Sequence, residues 1–161
     1  MLGWFLIGVA AAEARQAVVR DSLRGIPISR IMTPDPVTVP AAISVQQFPD
    51  DYLFRLRHQA YPVTGEDGAV IGLVSFNRIK QVPAAQRDQT RLADVACPLA
   101  EVATASPSEP AADLLTRLTS CAEGRVLVFD AGRLAGIISP SDISRTLDRL
   151  GISHRSTAGR R

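Results

Sequence analysis

Short apolar runs cut by proline, glycine and acidic turns dominate this chain, and they come in pairs. Ala60–Thr64 and Val70–Ser75 flank Gly65-Glu66-Asp67-Gly68, which predicts a buried hairpin. Arg125–Phe129 and Arg133–Ser139 flank Asp130-Ala131-Gly132 and predict a second one. Helical spacing covers Ala10–Leu23, ended by Gly25 and Pro27, and Ser44–Gln59, where Pro49 interrupts the pattern. Further helices are expected at Phe76–Gln81, from the Ser106-Pro107 start signal through Ala112, Leu115 and Leu118 to about Ser120, and at Ser141–Leu150. Ile28–Met32 and Leu92–Ala96 read as helical turns, Val37–Val39 and Val102–Ala105 as strands, and Val82–Thr90 as a linker. Gly151–Arg161 lacks periodicity and reads as a disordered tail.

The pairing is an internal repeat. Gly72-Leu73-Val74-Ser75-Phe76-Asn77-Arg78-Ile79 precedes Gly136-Ile137-Ile138-Ser139-Pro140-Ser141-Asp142-Ile143 by 64 positions. The same offset aligns the two acidic turns, Tyr61-Pro62-Val63 with Arg125-Val126-Leu127, and Ile28–Pro34 with Leu92–Pro98. Two copies are too few for a solenoid, so they should bury their faces on each other around an approximate twofold axis. The expected class is α+β: two repeats, each β-α-β-β-α, after an N-terminal helix.

The second copy's exit carries the strongest candidate chemistry. Ser139-Pro140-Ser141-Asp142 is a helix start, with a serine cap, proline at the first helical position and an acid in the first turn. A hydroxyl and a carboxylate three residues apart there either cap the helix or grip a vicinal diol such as a ribose.

Composition sets bounds on function. At 161 residues there is room for one domain or two small halves sharing a core. A net charge of +2, with scattered arginines and the single lysine Lys80, gives no footprint for nucleic acid. Cys97 and Cys121 form no C-x-x-C pair, and only His58 and His154 could join them, so no metal site is expected and both cysteines read as free thiols of a reducing compartment. No H-E-x-x-H, G-x-S-x-G or P-loop sequence occurs. Met1–Ala12 is almost wholly apolar and is followed by Arg15, Arg20 and Arg24. Twelve residues span about 18 Å as a helix, short of a ~30 Å bilayer core. The favoured reading is the end of a membrane helix leaving on the cytoplasmic side; the other is a helix packed on the domain or on a second copy.

This order of elements, read twice, resembles a tandem pair of cystathionine-β-synthase (CBS) domains, a Bateman module. The residues that carry the likeness are Ile31-Met32-Thr33-Pro34-Asp35-Pro36-Val37-Thr38-Val39, Tyr61-Pro62-Val63, Gly68–Ser75 and Gly132–Ile143. The N-terminal segment is similar to the C-terminal part of site-2-protease-type membrane zinc metalloproteases, some of which carry a CBS pair after their last helix. The layout expected is an apolar helix over 1–25, repeats over 26–82 and 91–150, a linker over 83–90 and a tail over 151–161.

The resemblance implies a regulatory module, not an enzyme, that binds an adenosine nucleotide (AMP, ADP, ATP or S-adenosylmethionine) and modulates an attached membrane metalloprotease. It implies a homodimer at the cytoplasmic face of the membrane. Carried over by motif, Ser139 and Asp142 would hold the ribose, and Thr104, Ala105, Val126 and Leu127 would wall the base. The first site, at Thr38, Val63, Ser75 and Arg78, is degenerate, because a cation replaces the ribose acid. Ser75 then reads as a helix cap and Arg78 as a solvent residue, while Arg125 is open as an anion contact or a surface residue. The alternative function is a dimerisation or docking module with empty clefts, which Arg78 and the missing second proline favour.

Overall fold

The computed structural model describes residues 17–48 and 59–151. The expectations for the apolar Met1–Ala12 segment, for most of the Ser44–Gln59 helix and for the tail lie outside these residues.

Each hairpin forms where β-branched runs meet an acidic turn. β3 (Ala60–Thr64) pairs antiparallel with β4 (Val70–Ser75), and β7 (Val126–Asp130) with β8 (Arg133–Ile138). Gly68 and Gly132 sit in the left-handed region at φ 79° and 80°, which each turn requires. Two four-stranded mixed sheets result. One runs β2 (Val39–Pro40), β3, β4, β5 (Cys97–Pro98); the other runs β1 (Thr33–Pro34), β8, β7, β6 (Ala103–Ala105).

The lead strands are exchanged. β1 of the first copy pairs with β8 of the second, and β5 of the second copy pairs with β4 of the first. The neighbouring backbone bonds repeat the swap: Ile28 N–H donates to Glu109 O at 2.9 Å and Ala111 N–H to Ile26 O at 2.8 Å, matched by Leu92 to Ile43 at 3.0 Å and Val45 to Thr90 at 2.8 Å. The exit-motif glycines make the crossing possible. A Cβ on Gly136 would meet Met32 Sδ at 2.6 Å, and one on Gly72 would run into the Cys97 carbonyl.

The shared core lies between the sheets and contains Leu73, Cys97, Val102, Ala122 and Leu127. Val63 and Val74 belong to a separate cluster with Phe48 and Tyr61; Ile138 belongs to a third with Ile28 and Val126. Period-two alternation explains the division, since adjacent strand residues face opposite ways. Residues 17–24 are helical, and buried Leu23 packs on Ala111 and Ala112 of the second copy.

Several local readings change. Strand Val37–Val39 shrinks to Val39–Pro40, and the expected helix to Ser120 is a 3-10 helix over Ala111–Thr116. Arg117 terminates it by donating to Asp113 O at 3.2 Å and Thr104 O at 3.1 Å. The thiols are not free: Cys97 and Cys121 form a disulfide, with Cα atoms 5.7 Å apart. The cysteines are distant in sequence, but strand exchange sets β5 against the turn that leads to β7.

Candidate functional site

Strand β8 ends at Ile138, and Ser139 begins the helix Pro140–Arg149 with a capping box. Asp142 N–H donates to Ser139 Oγ at 3.3 Å. In return, Asp142 Oδ2 accepts from both the Ser139 amide and hydroxyl at 2.8 Å, while Oδ1 accepts from Arg145 at 2.8 Å. Asp142 is only 12% exposed as a side chain, so its carboxylate is fixed, whereas Arg145 is 67% exposed and held by Asp142 and by the Ser141 carbonyl at 3.3 Å. These groups open into a cleft of about 540 Å³, whose other walls include Thr33, Gln59, Ala60, Arg125 and Ile137.

The residues carried over by motif divide. Ser139 and Asp142 share the cleft. Val126 and Leu127 are fully buried in two different core clusters, and Ala105 is buried with Val126, so none of the three walls the cleft. Thr104 is exposed and lines a separate open groove of about 840 Å³ beside the hairpin turns, together with Thr38. The apolar wall beside Asp142 comes instead from Ala60 and Ile137, and strand exchange brings in Thr33. The sequence reading missed Thr33, Gln59 and Arg145.

In the first copy the equivalent place is filled from within. Ser75 caps the helix Phe76–Lys80, accepting from Arg78 N–H at 3.3 Å. Its hydroxyl donates to Glu123 Oε1 at 2.7 Å, and Asn77 donates to Glu123 Oε2 at 3.3 Å. Arg125, 8% exposed, donates to the same Oε2 at 2.8 Å, so it is an internal ion-pair partner and not a surface residue. Burial opposes the Glu123 charge, but hydrogen bonds from Ser75 and Arg125, the Arg125 charge and the Asn77 amide outweigh it and hold the carboxyl below its ordinary range. The 64-residue offset maps Glu123 onto Gln59, a signal present in the sequence.

Arg78 also departs from the solvent reading. It donates to Val95 O at 2.8 Å and Cys121 O at 3.3 Å, and its remaining terminal nitrogen lies 2.9 Å from Cys121 Sγ. Val63, the last residue named for that site, lies fully buried in the core beneath β3.

The chain is 35% identical over 148 residues to the zinc metalloprotease candidate Rip3 of Mycobacterium tuberculosis, covering 91% of this chain and 38% of that protein. Zinc metalloprotease MJ0392 of Methanocaldococcus jannaschii is 28% identical over 152 residues, covering 93% and 40%. The chain thus spans about two fifths of the length of these relatives. The CBS domain of a bacterial CNNM/CorC family Mg²⁺ transporter, in complex with ATP, superposes with a TM-score of 0.67 at 19% identity, covering 87% of this chain and 98% of that one. The CBS domain family matches at residues 28–84 and again at 92–149. With a match on each copy of the repeat and a fold to suit, the chain belongs to the CBS domain family, as a tandem pair.

Proposed function

We propose that this CBS pair is a regulatory module that binds one adenosine nucleotide in the Ser139–Asp142 cleft and thereby modulates a membrane metalloprotease of which it is part. The observation that carries the reading is the Asp142 carboxylate, held rigid by its capping box at the wall of a cleft that also presents Arg125 and Arg145. A ribose diol has two hydroxyl donors, and Asp142 Oδ1 accepts both once Arg145 turns away from it. Arg145, itself exposed, would leave its pair with the shielded Asp142 and its bond to the Ser141 carbonyl to meet a phosphate. Ala60 and Ile137 offer an apolar face to the base. About 540 Å³ falls within the roughly 300–1,000 Å³ of small-molecule sites. The ATP complex of the transporter CBS domain lends support by likeness of fold.

The first copy carries no site in this reading, because Glu123 already takes the Ser75 hydroxyl. The module contributes no catalysis itself. Any protease chemistry belongs to the rest of a longer protein, at the cytoplasmic face of a membrane, and two copies associate as a homodimer. The internally filled first cleft favours the second reading, a dimerisation or docking module without ligand.

Calorimetric titration of the chain with AMP, ADP, ATP and S-adenosylmethionine separates the two. One equivalent should bind, and Asp142→Asn should weaken every ligand by roughly ten- to a hundredfold. Arg145→Ala should weaken ATP more than adenosine. The nucleotide reading fails if none binds at millimolar concentration, or if Asp142→Asn binds as tightly as the wild type.

A further inference from the structure

The disulfide stands at a junction that nucleotide binding does not explain. Cys97 is fully buried in β5, at the edge of the first sheet, whereas Cys121 is half-buried in the 119–124 turn that feeds β7 of the second. Arg78 holds a cationic nitrogen 2.9 Å from Cys121 Sγ and bonds the carbonyl of the same residue. Two residues further on, Glu123 carries the carboxylate that occupies Ser75 and Asn77. One short turn therefore connects a sulfur pair, a cation and the filled cleft of the first copy.

We infer that Cys97–Cys121 is a thiol–disulfide exchange site, and that its reduction by a small or protein dithiol releases the 119–124 turn and withdraws Glu123 from Ser75. Access fixes the order of events, because only Cys121 is open to attack. A reductant thiolate attacks Cys121 Sγ, where the Arg78 cation at 2.9 Å offsets the Glu101 carboxylate at 3.5 Å; the disulfide breaks and Cys97 leaves as a thiolate that takes a proton. The reductant's second thiol then attacks the mixed disulfide, forming the oxidised reductant and releasing Cys121. The net change is one disulfide and two thiols in, and two thiols and one disulfide out. The Arg78 charge stabilises the departing Cys121 thiolate and so speeds this second step. With no C-x-x-C pair, the chain is the substrate of such exchange and not its catalyst.

The reduced sulfurs and the Glu101 carboxylate would also sit within reach of one ion, since these three ligand atoms lie within 4.8 Å of one another. Two features weigh against a metal centre. Arg78 already places positive charge on Cys121, and structural zinc takes four ligands where three are present among the described residues.

This inference does not rest on the nucleotide reading, and its test uses no nucleotide. The whole chain is incubated in dithiothreitol or glutathione buffers under native conditions, alkylated and weighed, and followed by hydrogen exchange. The oxidised chain should take no alkyl groups and the dithiothreitol-treated chain two, with Cys121 modified first. Exchange in 119–124 and 75–80 should quicken by roughly tenfold or more on reduction, while 126–130 and 133–138 keep their protection. Arg78→Met should slow reduction about three- to tenfold. The double variant Cys97→Ser, Cys121→Ser should show the exchange pattern of the reduced wild type; if it does not fold, the reduced wild type alone carries the comparison. The inference is overturned by a bond that is absent or resists millimolar dithiothreitol, by unchanged or globally raised exchange, or by an Arg78→Met rate equal to wild type. Tight uptake of one equivalent of Zn²⁺ alone by the reduced chain overturns it in favour of a metal site.

Discussion

Replacing Glu123 with alanine removes the group on which the two repeats converge. Glu123 lies at φ 53°, but glutamate and alanine both carry a Cβ, so backbone strain cancels and only the side chain is tested. Three donors lose their acceptor: the buried Ser75 hydroxyl, the Asn77 amide and Arg125. Arg125 dominates, since its side chain is 9% exposed and would keep its charge without this partner. Breaking a fully buried pair costs about 3–5 kcal/mol. The Glu123 side chain is 27% exposed, so water replaces part of the loss, and about 2–4 kcal/mol is expected. For a chain of this size that is a fall in Tm of roughly 5–12 °C, read by calorimetry or circular dichroism at pH 7. In a double-mutant cycle, Glu123→Ala with Arg125→Met should cost clearly less than the two singles together, with a coupling of about 1–3 kcal/mol. The pH dependence has a definite sign. The carboxyl is held below its ordinary value in the folded chain, so its contribution is complete above the unfolded pKa of about 4.3 and is lost as the pH falls through the folded value. The gap between wild type and Glu123→Ala should therefore begin to narrow as the pH falls below the unfolded value of about 4.3 and close further towards the lower folded one. A Tm loss under about 2 °C, or a difference that does not narrow in acid, would refute this account of the inter-repeat contact.

Other outcomes follow from the same geometry. Gly72→Ala should destabilise by about 1–3 kcal/mol, and more than Gly136→Ala, because the first strikes the Cys97 backbone and the second chiefly the flexible Met32 side chain; paired urea melts read the order directly. Asp142→Ala should cost about 1–2 kcal/mol even without ligand, because it removes a capping box and not merely an exposed acid; a Tm within a degree of wild type would contradict that. Reducing the disulfide should lower stability by about 3 kcal/mol, as expected for a bond closing a loop of some two dozen residues, measured by melts with and without dithiothreitol.

What could be read in advance followed from local chemistry. The hairpins are visible because Val, Ile and Leu runs meet Asp- and Gly-bearing turns, and the 64-residue offset makes each reading check the other. Ser139 and Asp142 were legible because a capping box is written within four residues. The partners of the two-residue strands β1 and β5 were not legible, since so short a segment has no periodicity and its neighbour is set by tertiary packing. That exchange hid the rest. It brings Thr33 to the Asp142 cleft, seats Cys97 beside Cys121, and leaves Thr38 and Thr104 at the groove by the turns. Arg78 was misread for a similar reason, as its three acceptors lie on Val95 and Cys121, far along the chain.

The exchange of lead strands also bears on how the chain can be divided. Cut between residues 84 and 92, it would yield two pieces that each keep a hairpin but leave one edge of their sheet unpaired. Naked edges and a bared apolar face make poor solitary domains. The same two pieces carry complementary edges, and mixing them should restore one assembly in a one-to-one ratio. The smallest autonomous unit of this protein is thus the whole pair, and any inheritance, fusion or engineering of the module must move both halves together.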